Sequence, residues 1–95
     1  MDMTRIIIKK TSKTGQDLKI FRAYFPSSRL GQRDEPLGVS ASTTGNSEWG
    51  IIRCAAKAFK KFSTPEVANE VNEIETRVML RSISEVLGVW EATLQ

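Results

Sequence analysis

Apolar and polar residues recur along this chain at two different periods, and the switch between them marks out its elements. TRIIIKKT, residues 4–11, is β-branched, with Ile6 and Ile8 on one side and Arg5, Ile7 and Lys9 on the other, which predicts a strand. LKIFRAYF, residues 18–25, predicts a second strand, in which Leu18, Ile20, Arg22 and Tyr24 oppose Lys19, Phe21, Ala23 and Phe25. The intervening SKTGQD is turn material, so the two strands should form an antiparallel hairpin with its more apolar face toward the core. A polar loop bracketed by Pro26 and Pro36 follows, and loops of that length in small domains are commonly functional or disordered. Residues 37–43, LGVSAST, alternate Val39 and Ala41 against Ser40 and Ser42, a third strand.

The period then changes to that of a helix over residues 47–62, SEWGIIRCAAKAFKKF. On a helical wheel Trp49, Ile52, Ala55, Ala56 and Phe59 share one face, bordered by Ile51 and Phe62. Arg53, Lys57, Lys60 and Lys61 share an adjacent face. Asn46 or Ser47 supplies a side-chain oxygen to cap the first turn. Glu48 and the Lys60–Lys61 pair lie at the ends where the helix dipole favours their charges. Pro65 disfavours helical geometry at Thr64 and ends the run.

Beyond Thr64 two patterns compete. Thr64-Pro65-Glu66 starts a helix well, and Val67, Val71, Ile74 and Val78 keep helical spacing. Yet Ile74, Thr76, Val78 and Leu80 also alternate with Glu75, Arg77, Met79 and Arg81, and Trp90, Ala92 and Leu94 alternate within VWEATL. A continuous helix would have to swing its apolar stripe by about 120° after Val78. The preferred expectation is a short helix from Pro65, a strand near Glu73–Ser82 and a terminal strand at Val89–Leu94, with two packed helices as the alternative. The fold class expected is α+β. A small antiparallel sheet of three N-terminal strands packs on a central helix, and a C-terminal helix and a terminal hairpin complete one domain over residues 1–95.

Charge changes this picture more than composition does. The chain is ordinary at 40% apolar and 26% charged, but its net +3 is unevenly spread. Residues 1–61 hold twelve Lys/Arg against five Asp/Glu, and residues 62–95 hold two against six. Such asymmetry suggests a basic working surface with an acidic end, and it also suits head-to-tail self-association into a homo-oligomer. No apolar run approaches the roughly 18 residues of a membrane span, and the opening MDMTRIIIKK lacks the features of a signal peptide, so no membrane partner and a cytoplasmic location are expected.

Candidate chemistry is sparse. There is no histidine, and Cys54 is the single cysteine, which removes intrachain disulfides, Ser–His and Cys–His pairs and a one-chain zinc site. Cys54 falls at the edge of the helix's apolar face and reads as a small structural hydrophobe. Asp34, Glu35 and Glu48 do not converge on a bond by their spacing, so no enzyme, no metal and no cofactor are expected. Trp49 and Trp90 read as core or half-buried residues. Exposure of either would favour a protein interface, where tryptophan anchors are enriched.

The reading that remains is a small non-enzymatic binding protein. Its expected nucleic-acid site comprises Lys9, Lys10, Lys19, Arg22, Tyr24, Arg29, Arg33, Arg53, Lys57 and Lys61, in which cations neutralise phosphates and an aromatic stacks a base. The alternative is an inhibitor or adaptor that meets an acidic protein surface through exposed aromatics and complementary charge. One compact domain with split charge and no enzyme motif is the general style of small accessory proteins of phages and mobile elements.

Overall fold

The structure is a computed structural model and describes residues 4–12, 17–27, 33–62 and 71–95. Its strands are β1 (Arg5–Ser12), β2 (Lys19–Phe25), β3 (Glu35–Thr43), β4 (Val78–Ser84) and β5 (Val89–Leu94). Its helices are α1 (Ser47–Phe62) and α2 (Val71–Arg77). All five strands form one antiparallel sheet in the order β3-β2-β1-β5-β4. The α+β class and the antiparallel sheet are therefore present, but the sheet is larger than the three N-terminal strands expected. The C-terminal hairpin joins it by inserting β5 beside β1, with Ile6 opposite Ala92 and Ile8 opposite Trp90. The strand expected near Glu73–Ser82 begins at Val78, because Ile74 is spent on the helix and packs fully buried in the core. Residues 63–70, which include the expected helix start at Pro65, lie outside the described residues.

Alternation along each strand decides what α1 covers. Ile6, Ile8, Phe21, Ala23, Ala41 and Ala92 are buried together with Ile51, Cys54, Ala55, Ala58 and Phe59 of α1. Phe21 meets Trp90 edge-on, with ring centroids 5.9 Å apart, so the core crosses from β2 to β5. The intervening residues Arg5, Ile7, Lys9, Arg22, Tyr24, Ser40, Met79, Arg81 and Glu91 therefore project from the opposite face of the sheet, which no element among the described residues covers.

Two features of α1 differ from the helical-wheel expectation. Its buried face centres on Gly50, Ile51, Cys54, Ala55 and Ala58, which turns Cys54 inward and leaves Trp49 51% exposed. Small residues are the cause. A Cβ on Gly50 would lie 2.5 Å from Cε2 of Phe21 and 2.8 Å from Cγ2 of Thr43, so only glycine lets the helix backbone approach the sheet this closely. The larger Trp49 is thereby displaced to the outer surface. Asn46 is the cap, its Oδ1 accepting from the Glu48 N–H at 2.9 Å.

Candidate nucleic-acid interface

The ten residues expected to bind nucleic acid divide between two layers of the molecule. Lys9, Arg22 and Tyr24 project from the uncovered sheet face, because their neighbours Ile8, Phe21 and Ala23 point into the core beneath α1. Arg53, Lys57 and Lys61 belong to α1, on the other side of the sheet. Lys10 and Lys19 lie on the α1 side of their strands, Lys19 donating to the Gly45 carbonyl at 3.0 Å. Arg33 is exposed just before β3, and Arg29 lies outside the described residues. The hairpin and the helix thus do not present one continuous basic face.

Their electrostatic surroundings also differ. On the sheet face Glu91 pairs with Arg5 at 2.8 Å and with Arg81 at 3.3 Å. Lys9 pairs with Asp34 at 3.4 Å while its ammonium sits 4.7 Å from the centroid of the Tyr24 ring. Asp34 is further held by accepting from the Ser27 N–H at 2.8 Å. Of the four cations there, Arg22 alone has no carboxylate partner among the described residues.

The helix face is not compensated in this way. At 100° per residue Trp49, Arg53, Lys57 and Lys60 fall within an arc of about 80°, with Lys61 at its border. None of these four cations forms an ion pair among the described residues. Lys57 instead donates to the carbonyl of Ser40 at 3.3 Å, and the Lys61 ammonium lies 5.1 Å from the Phe62 ring centroid. Arg53, Lys57 and Lys60 also border a cleft of about 150 Å³ floored by Ala56 and Ile74, with Glu75 on its far side. Trp49 and Lys60 were missing from the expected site. The spacing of Trp49 four residues before Arg53 carried the signal, but its bulk assigned it to the core.

A second depression lies where the β2–β3 ladder breaks. Arg22 pairs with Ser40, but Tyr24 pairs with Pro36, so β3 carries two extra residues between those positions, and Gly38 adopts a φ of +71°. Arg22, Tyr24, Pro36, Gly38 and Ser40 line a pocket of about 360 Å³ there. Lys57 and Lys61 meet β3 from the α1 side, the Lys57 ammonium bonded to the Ser40 carbonyl and the Lys61 ammonium 3.8 Å from where a Cβ on Gly38 would be.

The one thiol is separated from these surfaces. The Cys54 thiol is fully buried and donates to the Phe21 carbonyl at 3.4 Å. Burial pushes its pKa up to about 11, against the opposing pull of the Lys57 charge and a backbone hydrogen bond from Ala41. A protonated, inaccessible thiol is not a nucleophile. Among the described residues no group of three or more His, Cys, Asp or Glu side chains gathers to hold a metal ion, and no helix is long and apolar enough to cross a membrane. No family model, no curated protein and no solved structure matches the chain.

Proposed function

We propose that this protein binds a nucleic-acid backbone without catalysing a reaction, and that it does so through the outer face of α1. The observation that supports this reading is the contrast in charge compensation. Arg5, Lys9 and Arg81 on the sheet face are matched by Glu91 and Asp34, whereas Arg53, Lys57, Lys60 and Lys61 have no ion-pair partner among the described residues. Unmatched cations along one helix are suited to phosphates, since each phosphate neutralised releases condensed counterions. Arg53 to Lys61 spans about 12 Å of helix axis. That length faces three to four phosphates of one duplex strand at about 3.4 Å each. Trp49, 51% exposed at one end of the stripe, adds a flat apolar surface for a base or sugar.

The test is binding of labelled single-stranded and duplex oligonucleotides from about 50 to 300 mM salt. The expected dependence of log affinity on log salt for the duplex has a slope of about −3, from three to four contacts at about 0.9 each. A flat dependence, or no binding to either form at the lowest salt, removes the reading.

Two observations favour a second reading, an adaptor or inhibitor that binds a protein. The first is the exposure of Trp49, since tryptophan anchors are enriched at protein interfaces. In the second, Met79 and Ile83 on the edge strand β4, with Val86 and Leu87 in the following turn, are 52%, 48%, 96% and 74% exposed. Val86 and Leu87 are adjacent and the most exposed of the four, and neighbouring exposed apolar side chains mark protein contacts. Under that reading Val86→Ser with Leu87→Ser abolishes association with the partner and leaves salt-dependent oligonucleotide binding untouched.

A further inference from the structure

We infer that the pocket at the β3 bulge takes a single nucleotide of an unpaired strand, so that the protein prefers single-stranded nucleic acid to duplex. The inference rests on the nucleic-acid reading above and adds a site for the base, which the α1 face does not supply. Three features of the pocket point to this ligand. Its volume of about 360 Å³ lies in the range of small-ligand sites, which begins at roughly 300 Å³. Its wall combines an aromatic ring, Tyr24, with the Arg22 guanidinium, which no carboxylate neutralises among the described residues. Two further cations touch β3 residues of that wall from the α1 side: Lys57, bonded to the Ser40 carbonyl, and Lys61, beside Gly38.

Strand order orients the site. Lys9 covers the Tyr24 ring from the β1 side, whereas Pro36, Gly38 and Ser40 border it on the β3 side, where a base can stack. Arg22 stands beside Tyr24 on the same face of β2, opposite Ser40, suited to the attached phosphate. From there a strand can continue over the edge of β3 onto Lys57, Lys61 and the α1 face. A base held in a duplex cannot enter, because unstacking and unpairing it costs a few kcal/mol. Gly38 within that wall has a φ of +71°, which disfavours any residue with a Cβ.

Two measurements test the inference. In amide chemical-shift titrations of the whole protein, adenosine 5′-monophosphate is the probe, with adenosine and inorganic phosphate as separate controls. Perturbation of Arg22, Tyr24, Gly38 and Ser40 by the monophosphate, and by neither control to the same extent, is expected. Shifts at these residues with phosphate alone, or with none of the three, overturn the site. In the second measurement Tyr24→Leu lowers affinity for a single strand by roughly 5- to 150-fold, the range of one lost stack, and changes duplex affinity less than twofold. Tyr24→Phe retains the wild-type preference and shows that the fold tolerates substitution there. If Tyr24→Leu leaves single-strand affinity within twofold, the pocket is not the site, while the α1 reading stands or falls on its salt dependence alone.

Discussion

The Lys57 ammonium donates to the Ser40 carbonyl at 3.3 Å, so a side chain of α1 is anchored on the edge strand of the sheet it covers. That contact links the two basic regions of the molecule. Ser40 stands opposite Arg22 in the β2–β3 ladder, and Lys57 therefore bonds to the backbone of a residue that lines the same pocket as Arg22.

The close approach of α1 to the sheet depends on Gly50. Gly50→Ala would press a methyl group to 2.5 Å from Phe21, whose ring is fully buried and held edge-on by Trp90. Overpacking of this kind costs about 1–3 kcal/mol, while alanine returns up to about 1 kcal/mol of helix propensity. A net loss of about 1–2 kcal/mol in urea denaturation is expected; unchanged or increased stability would show that the helix can lift away freely.

Stability should fall in alkali because of Cys54. Its folded pKa of about 11 is raised above the unfolded value near 8.5. Below pH 8 the thiol is protonated in both states and has no effect. Between about pH 8.5 and 11 only the unfolded chain loses the proton, so unfolding becomes progressively easier, by at most about 3 kcal/mol. Cys54→Ala isolates the contribution of the thiol. The variant is less stable at neutral pH but shows a shallower decline from pH 8.5 to 11, and an identical decline would contradict the assignment.

Glu91 holds two arginines on the uncovered sheet face. Glu91→Gln keeps the shape and removes the charge that Arg5 and Arg81 share. Both arginines are more than half exposed, so solvent screens the loss to about 0.5–1 kcal/mol. The difference between wild type and variant should shrink in 1 M salt, as measured by paired denaturation curves.

The tryptophans should be distinguishable by fluorescence. Trp49 is exposed on α1, and Trp90 is half-buried against Phe21. Iodide should quench part of the emission in the wild type and little in Trp49→Phe. Bound oligonucleotide should protect Trp49 from iodide, and unchanged quenching in the complex would place the ligand elsewhere.

Much of the fold was legible because local signals agreed. The bounds of α1 follow from Asn46, Glu48 and the lysines at its end, and the alternation of Trp90, Ala92 and Leu94 marks β5 correctly. The position of β5 beside β1 was not legible, because pairing across 80 to 88 residues leaves no trace in local period. The orientation of α1 is not legible for a physical reason: a wheel weighs Trp49 and Ile52 by their apolar bulk, whereas packing selects the small Gly50, Cys54 and Ala58 for closest approach. The candidate site was legible as residue types but not as a surface. Arg22 and Lys57 look alike in sequence, and only the sheet between them separates their environments.

The most direct test of the α1 interface is the salt dependence of duplex binding in Arg53→Gln/Lys57→Gln/Lys60→Gln/Lys61→Gln, compared with wild type. Four neutral side chains of similar length leave the core untouched, and circular dichroism confirms the fold. The predicted result is a slope reduced from about −3 to between about 0 and −1, with affinity lowered at every salt concentration. A variant that binds duplex with the wild-type slope would contradict the account.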